Sequence, residues 1–389
     1  MASVWVWTYP WTLAAEGIDA ACEDIADRGI DGLTVASHYH SVQTLQPRTP
    51  ETLFASYPGG CYFTPDPTAF ADTPIDPPVN AVDGYDDPLA AVRTATDHAG
   101  LSVAAWTVCL HNSRLGAEYP RYRIESAFGD AHDHAFCPSH PAVQAYYAGV
   151  VETLATYDVD RIDLEWIGFG NVFHDHGWRF GHRKQQAVTD YTTAVLLSQC
   201  FCDGCEAAAD RRGFDLDEAR DRVRSLCREA LQGPGRSLPE LAELRAEEPA
   251  IDRLLEFRAA VVGEFLDSLV AASGGIPVNY YLTEDLGKGP LTIDAAGVDL
   301  DMLAATLDRV TTLCYTSDPL EAKQRLRVLD RRLSIPVDGA VTLDPDIIET
   351  EADFQRLARS IQTVAEDIHV FNHGVMTADH LDWLANTFA

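Results

Sequence analysis

The feature that most constrains the fold of this chain is the regular alternation of two sequence patterns. Short apolar runs rich in β-branched and aromatic residues are each followed by a stretch with 3.6-residue periodicity, which is typical of successive strand and helix units around a parallel sheet. The stretch that follows the first run lacks the glycine fingerprint of a dinucleotide-binding sheet. Eight runs occur, at 3–9, 31–37, 101–109, 160–166, 276–282, 309–315, 334–341 and 367–373. The sequence therefore predicts one α/β domain over residues 1–389, a (β/α)8 TIM barrel.

Two connections are far longer than the few residues that usually join such units. The first, residues 38–86, follows the second predicted strand, is rich in Pro and Gly, and is expected to form a lid-like loop. The second, residues 167–250, follows the fourth strand and contains a cluster of cysteines. Both insertions leave from the C-terminal ends of strands, the face that carries the active site in barrels of this kind. We therefore expect substrate specificity to depend on them.

The charge balance excludes two classes of partner. Sixty acidic residues against 29 basic ones give a formal net charge of −31. An anionic surface repels nucleic acids and anionic membranes, so we expect neither as a partner. An acidic protein of this kind, with only three Lys, resembles proteins of halophilic archaea. The chain shows no targeting segment and no run of about 18 apolar residues, so we expect a cytoplasmic protein and leave a homo-oligomer open.

Three closely spaced cysteines are the strongest local signal of a metal site. Cys200, Cys202 and Cys205 lie within six residues, and three thiolates at this spacing can converge on tetrahedral Zn²⁺, which then needs one further ligand. The spacing leaves Cys137, His182 and Cys227 open as that ligand.

A family resemblance rests on the order of three motifs. Cys137-Pro-Ser-His-Pro precedes a predicted helix, the fourth strand ends in Asp163-Leu-Glu165-Trp, and the C-x-C-x-x-C run follows. Over roughly residues 100–210 this series resembles family 42 glycoside hydrolases, the β-galactosidases, and uncharacterised barrel proteins related to them. The resemblance implies a structural zinc site, because a site of four cysteines is closed, and it implies that Glu165 is the general acid/base. The implied zinc ligands are Cys137, Cys200, Cys202 and Cys205.

The residues of the fourth strand support an acid/base site independently. Ile162, Leu164 and Trp166 share one face of the strand, so period-two alternation directs Asp163 and Glu165 into the barrel. Two neighbouring carboxylates should have their pKa values pushed apart, as acid/base chemistry requires. We therefore predict both as catalytic residues.

The second catalytic carboxylate is less well marked. In the family it is a Glu at the end of the seventh strand, where this sequence offers Asp338, and Leu164 replaces the Asn that precedes the acid/base. We predict Asp338 as the second carboxylate, with Glu284 and Asp285 after the fifth strand as further candidates. Separations of about 5 to 5.5 Å favour a retaining glycosidase and about 6.5 to 9.5 Å an inverting one.

Polar and aromatic residues at the predicted strand ends form a candidate surface for a sugar ring, since aromatic rings offer flat apolar faces. The predicted function is hydrolysis of a glycosidic bond in a small-molecule carbohydrate. The predicted substrate-binding residues are Trp7, His38, His40, Trp106, His111, Asn112, Asn279, Tyr281, Tyr315, Asn372 and His373.

Two other functions stay open at this point. Imidazoles together with Asp163 could hold an open catalytic metal, as in metal-dependent barrel hydrolases (amidohydrolases) or sugar isomerases. The histidines concerned are His38, His40, His111, His174 and His176. The third hypothesis is a catalytically inactive barrel that binds carbohydrate.

Overall fold

The computed structural model describes residues 2–49, 53–174, 187, 190–233, 236–283 and 293–389. Its centre is a closed barrel of eight parallel strands in which each strand pairs with the next and β8 pairs with β1. The strands are β1 Val4–Thr8, β2 Gly32–Tyr39, β3 Ser102–Val108, β4 Arg161–Glu165, β5 Val278–Leu282, β6 Arg309–Leu313, β7 Val337–Thr342 and β8 Ile368–Phe371. The predicted (β/α)8 fold is confirmed, since each predicted run overlaps one strand.

Helices surround the barrel and begin where the sequence supplies caps. Asp87 and Asp318 each accept a backbone hydrogen bond at a helix start, and each is followed by Pro at the first helical position. The helices are Pro10–Glu16, Ile18–Asp27, Pro88–Ala99, Ser113–Glu118, Pro141–Ala155, Tyr191–Leu197, Asp203–Arg212, Leu216–Ala230, Leu241–Glu247, Pro249–Ala272, Leu300–Thr306, Pro319–Arg332, Glu351–Ile361 and Ala378–Phe388. Within the described ranges, no helix combines the length and apolarity needed to cross a membrane.

Three long connections lie on the C-terminal side of the barrel. After β2, a hairpin pairs Val42–Leu45 with Phe54–Tyr57, and Gly60–Cys61 pairs antiparallel with the end of β2. After β3, a second hairpin pairs Arg123–Glu125 with Ala131–Phe136. This second hairpin was not predicted from the sequence. After β4, the described residues form four shorter helices before the long helix Pro249–Ala272.

Candidate functional site

Glu165 is the last residue of β4 and lies at the C-terminal face of the barrel. The following residue, Trp166, has a φ angle of 60°, a left-handed conformation that is costly for a large side chain and is found mostly at functional sites. The indole Nε1 of Trp106 donates a hydrogen bond of 2.7 Å to Oε2 of Glu165. Glu165 is half-buried, whereas its neighbours along β4 are fully buried. One carboxylate is therefore held in a defined position at the mouth of the barrel.

Aromatic side chains surround this carboxylate. The ring of Trp106 lies 4.6 Å from that of Tyr39 and 6.2 Å from that of Tyr9, measured between centroids. Burial raises the pKa of Tyr9 to about 12; a hydrogen bond with Tyr39 opposes this shift and the negative charge of Glu165 adds to it. Burial also raises the pKa of Tyr39 and of Tyr315, and the Glu165 charge contributes to both shifts. The three phenols near Glu165 consequently stay protonated at neutral pH.

Asp163 has a different environment from Glu165. Its buried carboxylate accepts hydrogen bonds from Arg161, at 2.6 Å from Nε and 3.1 Å from Nη2, and one of 2.5 Å from the Tyr281 hydroxyl. Burial alone would raise the pKa of Asp163, but the charge and hydrogen bonds of Arg161 outweigh it and leave the pKa below its usual range. Asp163 is therefore an ionised partner of Arg161 inside the barrel, a role that differs from the predicted catalytic one.

Asp338 is the second residue of β7 and is also fully buried. Its carboxylate lies 3.3 Å from His369 Nε2 and 3.4 Å from Arg309 Nη1, and it accepts a hydrogen bond of 3.1 Å from the backbone N–H of Asp367. Nη1 of Arg161 is 3.9 Å away. Asp338 thus belongs to an internal charge network.

This network lies at the N-terminal side of the barrel, because Arg161 opens β4 whereas Glu165 ends it. Four residue-to-residue steps along the strand separate the Cα atoms of the two by about 13 Å. The expectation that Asp338 ends β7 beside Glu165 is corrected accordingly, since β7 continues to Thr342. The physical reason is that this inward-facing acid pairs with Arg309 of the adjacent strand β6 and lies 3.9 Å from Arg161 of β4.

Replacing Asp338 by Asn tests this assignment. The substitution removes counter-charge from the buried Arg161 and the half-buried Arg309, so we expect the free energy of unfolding to fall by about 3 to 5 kcal/mol. Turnover by the folded fraction should remain near that of the parent. Urea denaturation measured beside single-turnover kinetics separates the two effects, and a folded, stable variant with strongly reduced turnover would restore Asp338 to a catalytic role.

His38 is directed away from the barrel mouth. Its ring contacts the carbonyl oxygen of Val108 at 2.7 Å and the Tyr146 hydroxyl at 3.1 Å. Burial lowers the pKa of His38 to about 4. The strand pairing shifts register between Ala36 and His38, and an irregularity of this kind re-aims the side chains that follow it. Tyr39, which the sequence analysis did not select, therefore faces Trp106 instead.

Apart from His40 and His111, the other predicted substrate-binding residues divide into two groups. Trp7, Trp106 and Tyr315 belong to the aromatic surroundings of Glu165, with Trp7 6.0 Å from Trp106 and Tyr315 6.3 Å from Phe371. The remaining ones are engaged in local structure. Asn112 and Asn372 accept backbone hydrogen bonds at helix starts, Asn279 bonds Thr311, Tyr281 accepts from Trp7 and donates to Asp163, and His373 lies between Thr8 and Arg48.

Four histidines gather beside Trp166. The ring of His111 lies 4.9 Å from His40, 4.8 Å from His174 and 5.6 Å from His134. His134 was missed because it lies on the unpredicted hairpin after β3, and His176 lies outside the described residues. In the part of the chain that the structure describes, these histidines are not among the groups whose ligand atoms lie within 4.8 Å of one another. Among the described residues, the rings therefore cluster without meeting that spacing.

A cavity of about 560 Å³ lies beside this region. It is bordered by the hairpin after β2, including Tyr57, and by the helix Ser113–Glu118 with Arg114. Tyr57 stacks on Trp11 at 4.0 Å, and Trp11 on Tyr9 at 4.5 Å. Stacked rings therefore join the cavity wall to the surroundings of Glu165.

The four cysteines Cys137, Cys200, Cys202 and Cys205 form one buried group whose sulfur atoms all lie within 4.8 Å of one another. The Sγ–Sγ distances are 3.5 Å for Cys137 and Cys205 and 3.9 Å for Cys202 and Cys205. Four thiolates about 2.3 Å from a tetrahedral metal are about 3.8 Å apart, so this arrangement fits a four-coordinate ion. Cys227, the alternative ligand, is not in the group, and His182 lies outside the described residues.

The four cysteines come from two different connections of the barrel. Cys137 follows the hairpin after β3, whereas Cys202 and Cys205 belong to the start of helix Asp203–Arg212 in the connection after β4. Backbone N–H groups of Ser139 and Glu125 each point at a sulfur, at 3.4 Å. Hydrogen bonds from the other three cysteines lower the pKa of Cys202, which favours a thiolate. A metal here would join the two connections.

Comparison with known proteins agrees with the fold. No protein-family profile matches the chain, and no curated protein matches it significantly. The catalytic domain of a β-amylase from Paenibacillus polymyxa is similar in structure, with a TM-score of 0.55 and 13% identity over 99% of this chain and 97% of that one.

β-Galactosidases from Marinomonas ef1 and from Bacillus circulans sp. alkalophilus are similar too, with TM-scores of 0.53 and 0.54 and identities of 12% and 11%. Each match covers 99% of this chain but only 58% and 55% of the galactosidases, so the chain spans little more than half their length. These structural neighbours are glycoside hydrolases, and at such identities the likeness establishes the barrel fold.

Proposed function

We propose that this protein hydrolyses a glycosidic bond and that Glu165 is its general acid/base. The observation that carries the proposal is the position of Glu165, half-buried at the C-terminal end of β4 and held by Trp106 at 2.7 Å among aromatic side chains. Glycoside hydrolysis needs a positioned carboxyl group that protonates the leaving oxygen, and flat aromatic faces suit a sugar ring. The barrel neighbours named as β-galactosidases and β-amylase support the same reaction class.

The side chains around Glu165 position it for this reaction. The indole N–H of Trp106 fixes one oxygen of Glu165, so the carboxyl group meets the leaving-group oxygen in a constant orientation. The neutral phenols of Tyr9, Tyr39 and Tyr315 are hydrogen-bond donors that can act without adding negative charge near the reacting bond. A small-molecule carbohydrate is the partner that these groups suit.

The second carboxylate is proposed to be Glu284 or Asp285. Both lie outside the described residues, in the segment after Thr283, and β5 is the neighbour of β4 in the barrel. Whether the reaction retains or inverts depends on the separation from Glu165. Single Ala variants of Glu284 and Asp285, assayed with and without azide, identify a nucleophile by recovery of turnover with the external anion.

We also propose a relationship to family 42 glycoside hydrolases, based on the position of Glu165 and on the four clustered cysteines. We propose that these cysteines hold a structural zinc ion. Adaptation of the acidic surface to high salt, as in halophilic archaea, and a cytoplasmic location remain predictions. None of them is required for the chemistry at Glu165.

A panel of nitrophenyl glycosides in molar KCl tests the function directly. We expect release of nitrophenol from at least one sugar, unaffected by a chelator present during the assay. Hydrolysis of an alkyl glycoside of the same sugar should be lost in the Glu165→Gln variant. Activity that a chelator abolishes and Zn²⁺ or Mn²⁺ restores would support the metal-dependent hypothesis based on the histidine cluster. Saturable sugar binding without hydrolysis would support the inactive carbohydrate-binding barrel.

A further inference from the structure

A buried arginine contacts the four-cysteine group. Arg258 lies in the long helix Pro249–Ala272 and its side chain is fully buried. Its Nη1 donates a hydrogen bond of 3.1 Å to Sγ of Cys205, and its Nη2 donates one to the carbonyl oxygen of Cys200. The guanidinium therefore contacts the segment Cys200–Cys205 at two points.

The charge of Arg258 requires a partner. A guanidinium stays protonated in proteins, and burying a charge without a counter-charge is strongly unfavourable. Within the described part of the chain, the hydrogen bonds found for Arg258 go to the sulfur of Cys205 and the carbonyl of Cys200. Four thiolates on one divalent cation carry a net charge of −2, which supplies the missing negative charge. Four neutral thiols would leave Arg258 without a counter-charge among the contacts that the described residues provide.

The same guanidinium packs on three aromatic rings, one of which belongs to the segment that follows Glu165. Its carbon Cζ lies 4.6 Å from the ring centroid of Phe169, 5.1 Å from Phe257 and 5.6 Å from Phe201. Phe169 follows Glu165 by four residues, and its backbone N–H donates to the carbonyl of Ala296 at 2.8 Å. Arg258 thus touches both the thiolate group and the segment that leaves the end of β4.

We propose that Arg258 is the internal counter-charge of a tetrathiolate metal centre and links that centre to the segment after Glu165. The inference rests on the proposed zinc site and is independent of glycosidase activity. Removing the positive charge raises the energy of the dianionic centre, so its affinity for metal falls. Removing the N–H···S hydrogen bond also makes the sulfur a better electron donor, which lowers the energy of thiolate-to-metal charge transfer.

The test compares Arg258→Met, Arg258→Lys and Arg212→Met. Arg212 pairs with Glu264 and packs over the same Phe257 ring at 5.9 Å, so its variant controls for lost packing in the insertion. Zinc affinity is measured by competition with a chromogenic chelator, and the charge-transfer band is measured after replacement by Co²⁺. We expect Arg258→Met to bind zinc about 10- to 100-fold more weakly and its cobalt band to move to longer wavelength. Arg258→Lys should lie between it and the parent, and Arg212→Met should match the parent.

Each alternative outcome is distinguishable. A folded Arg258→Met variant with the parent's zinc affinity and cobalt spectrum would show that Arg258 only packs, and a parent protein with no cobalt charge-transfer band would remove the metal centre itself. If Arg258→Met does not fold, Arg258→Gln decides, since Gln is neutral but keeps hydrogen-bond donors, and an unchanged zinc affinity there would equally overturn the proposal. None of these readouts uses hydrolysis, so a failure of the proposed function leaves the result intact.

Discussion

Replacing Glu165 by Gln is expected to lower turnover by about 10²- to 10⁴-fold. Gln keeps the size of the side chain and can still accept the hydrogen bond from Trp106 Nε1, but it has no proton to transfer to the leaving oxygen. Steady-state rates on a natural or alkyl glycoside, with circular dichroism to confirm folding, measure the loss.

The dependence on the leaving group separates acid catalysis from a structural role. An acidic nitrophenol leaves without protonation, so the rate loss of the Glu165→Gln variant should be much smaller for a nitrophenyl glycoside whose slow step is bond cleavage. Trp106→Phe, which removes only the hydrogen bond to Glu165, is the matched variant and should cause an intermediate loss. Equal losses for good and poor leaving groups would argue that Glu165 is not the acid.

Purified protein is expected to contain about one zinc ion per chain. Removing this ion should lower the stability of the fold more than replacing any single side chain does. Structural zinc contributes on the order of 10 kcal/mol of binding free energy in small zinc domains, part of which is coupled to folding. In this chain the metal would join the connections after β3 and β4. We therefore expect chelation, or Cys202→Ser, to lower the melting temperature by on the order of 10 °C.

Cys227 provides the control for this experiment. It is a buried free thiol on helix Leu216–Ala230 in the same insertion, and burial raises its pKa to about 12, so it stays a neutral thiol. Cys227→Ser should keep its zinc and change the melting temperature far less than Cys202→Ser. Metal analysis by mass spectrometry beside calorimetry gives both quantities. Purified protein that contains no zinc, or a melting temperature that does not change on chelation, would contradict the assignment.

The sequence by itself determined the local features of this protein. Alternating strand and helix patterns predicted the barrel, because periods of 2 and 3.6 residues follow from backbone geometry alone. The end of the fourth run located Glu165 at the C-terminal face for the same reason. The spacing of Cys200, Cys202 and Cys205 predicted a metal site, since ligands so close along the chain need little help from the rest of the fold.

Only the tertiary structure decided which side chains meet across the barrel. Asp163 and Asp338, like Glu165, are carboxylates in predicted barrel strands. In the structure, however, both lie in the barrel interior within 4 Å of Arg161 and away from the position of Glu165. A register irregularity, which no periodic pattern encodes, turned His38 outward and Tyr39 toward Trp106. Arg258 reaches the sulfur of Cys205 from a helix more than 50 residues further along the chain. These contacts depend on strand register and barrel closure, which arise from long-range packing and are invisible to a local pattern.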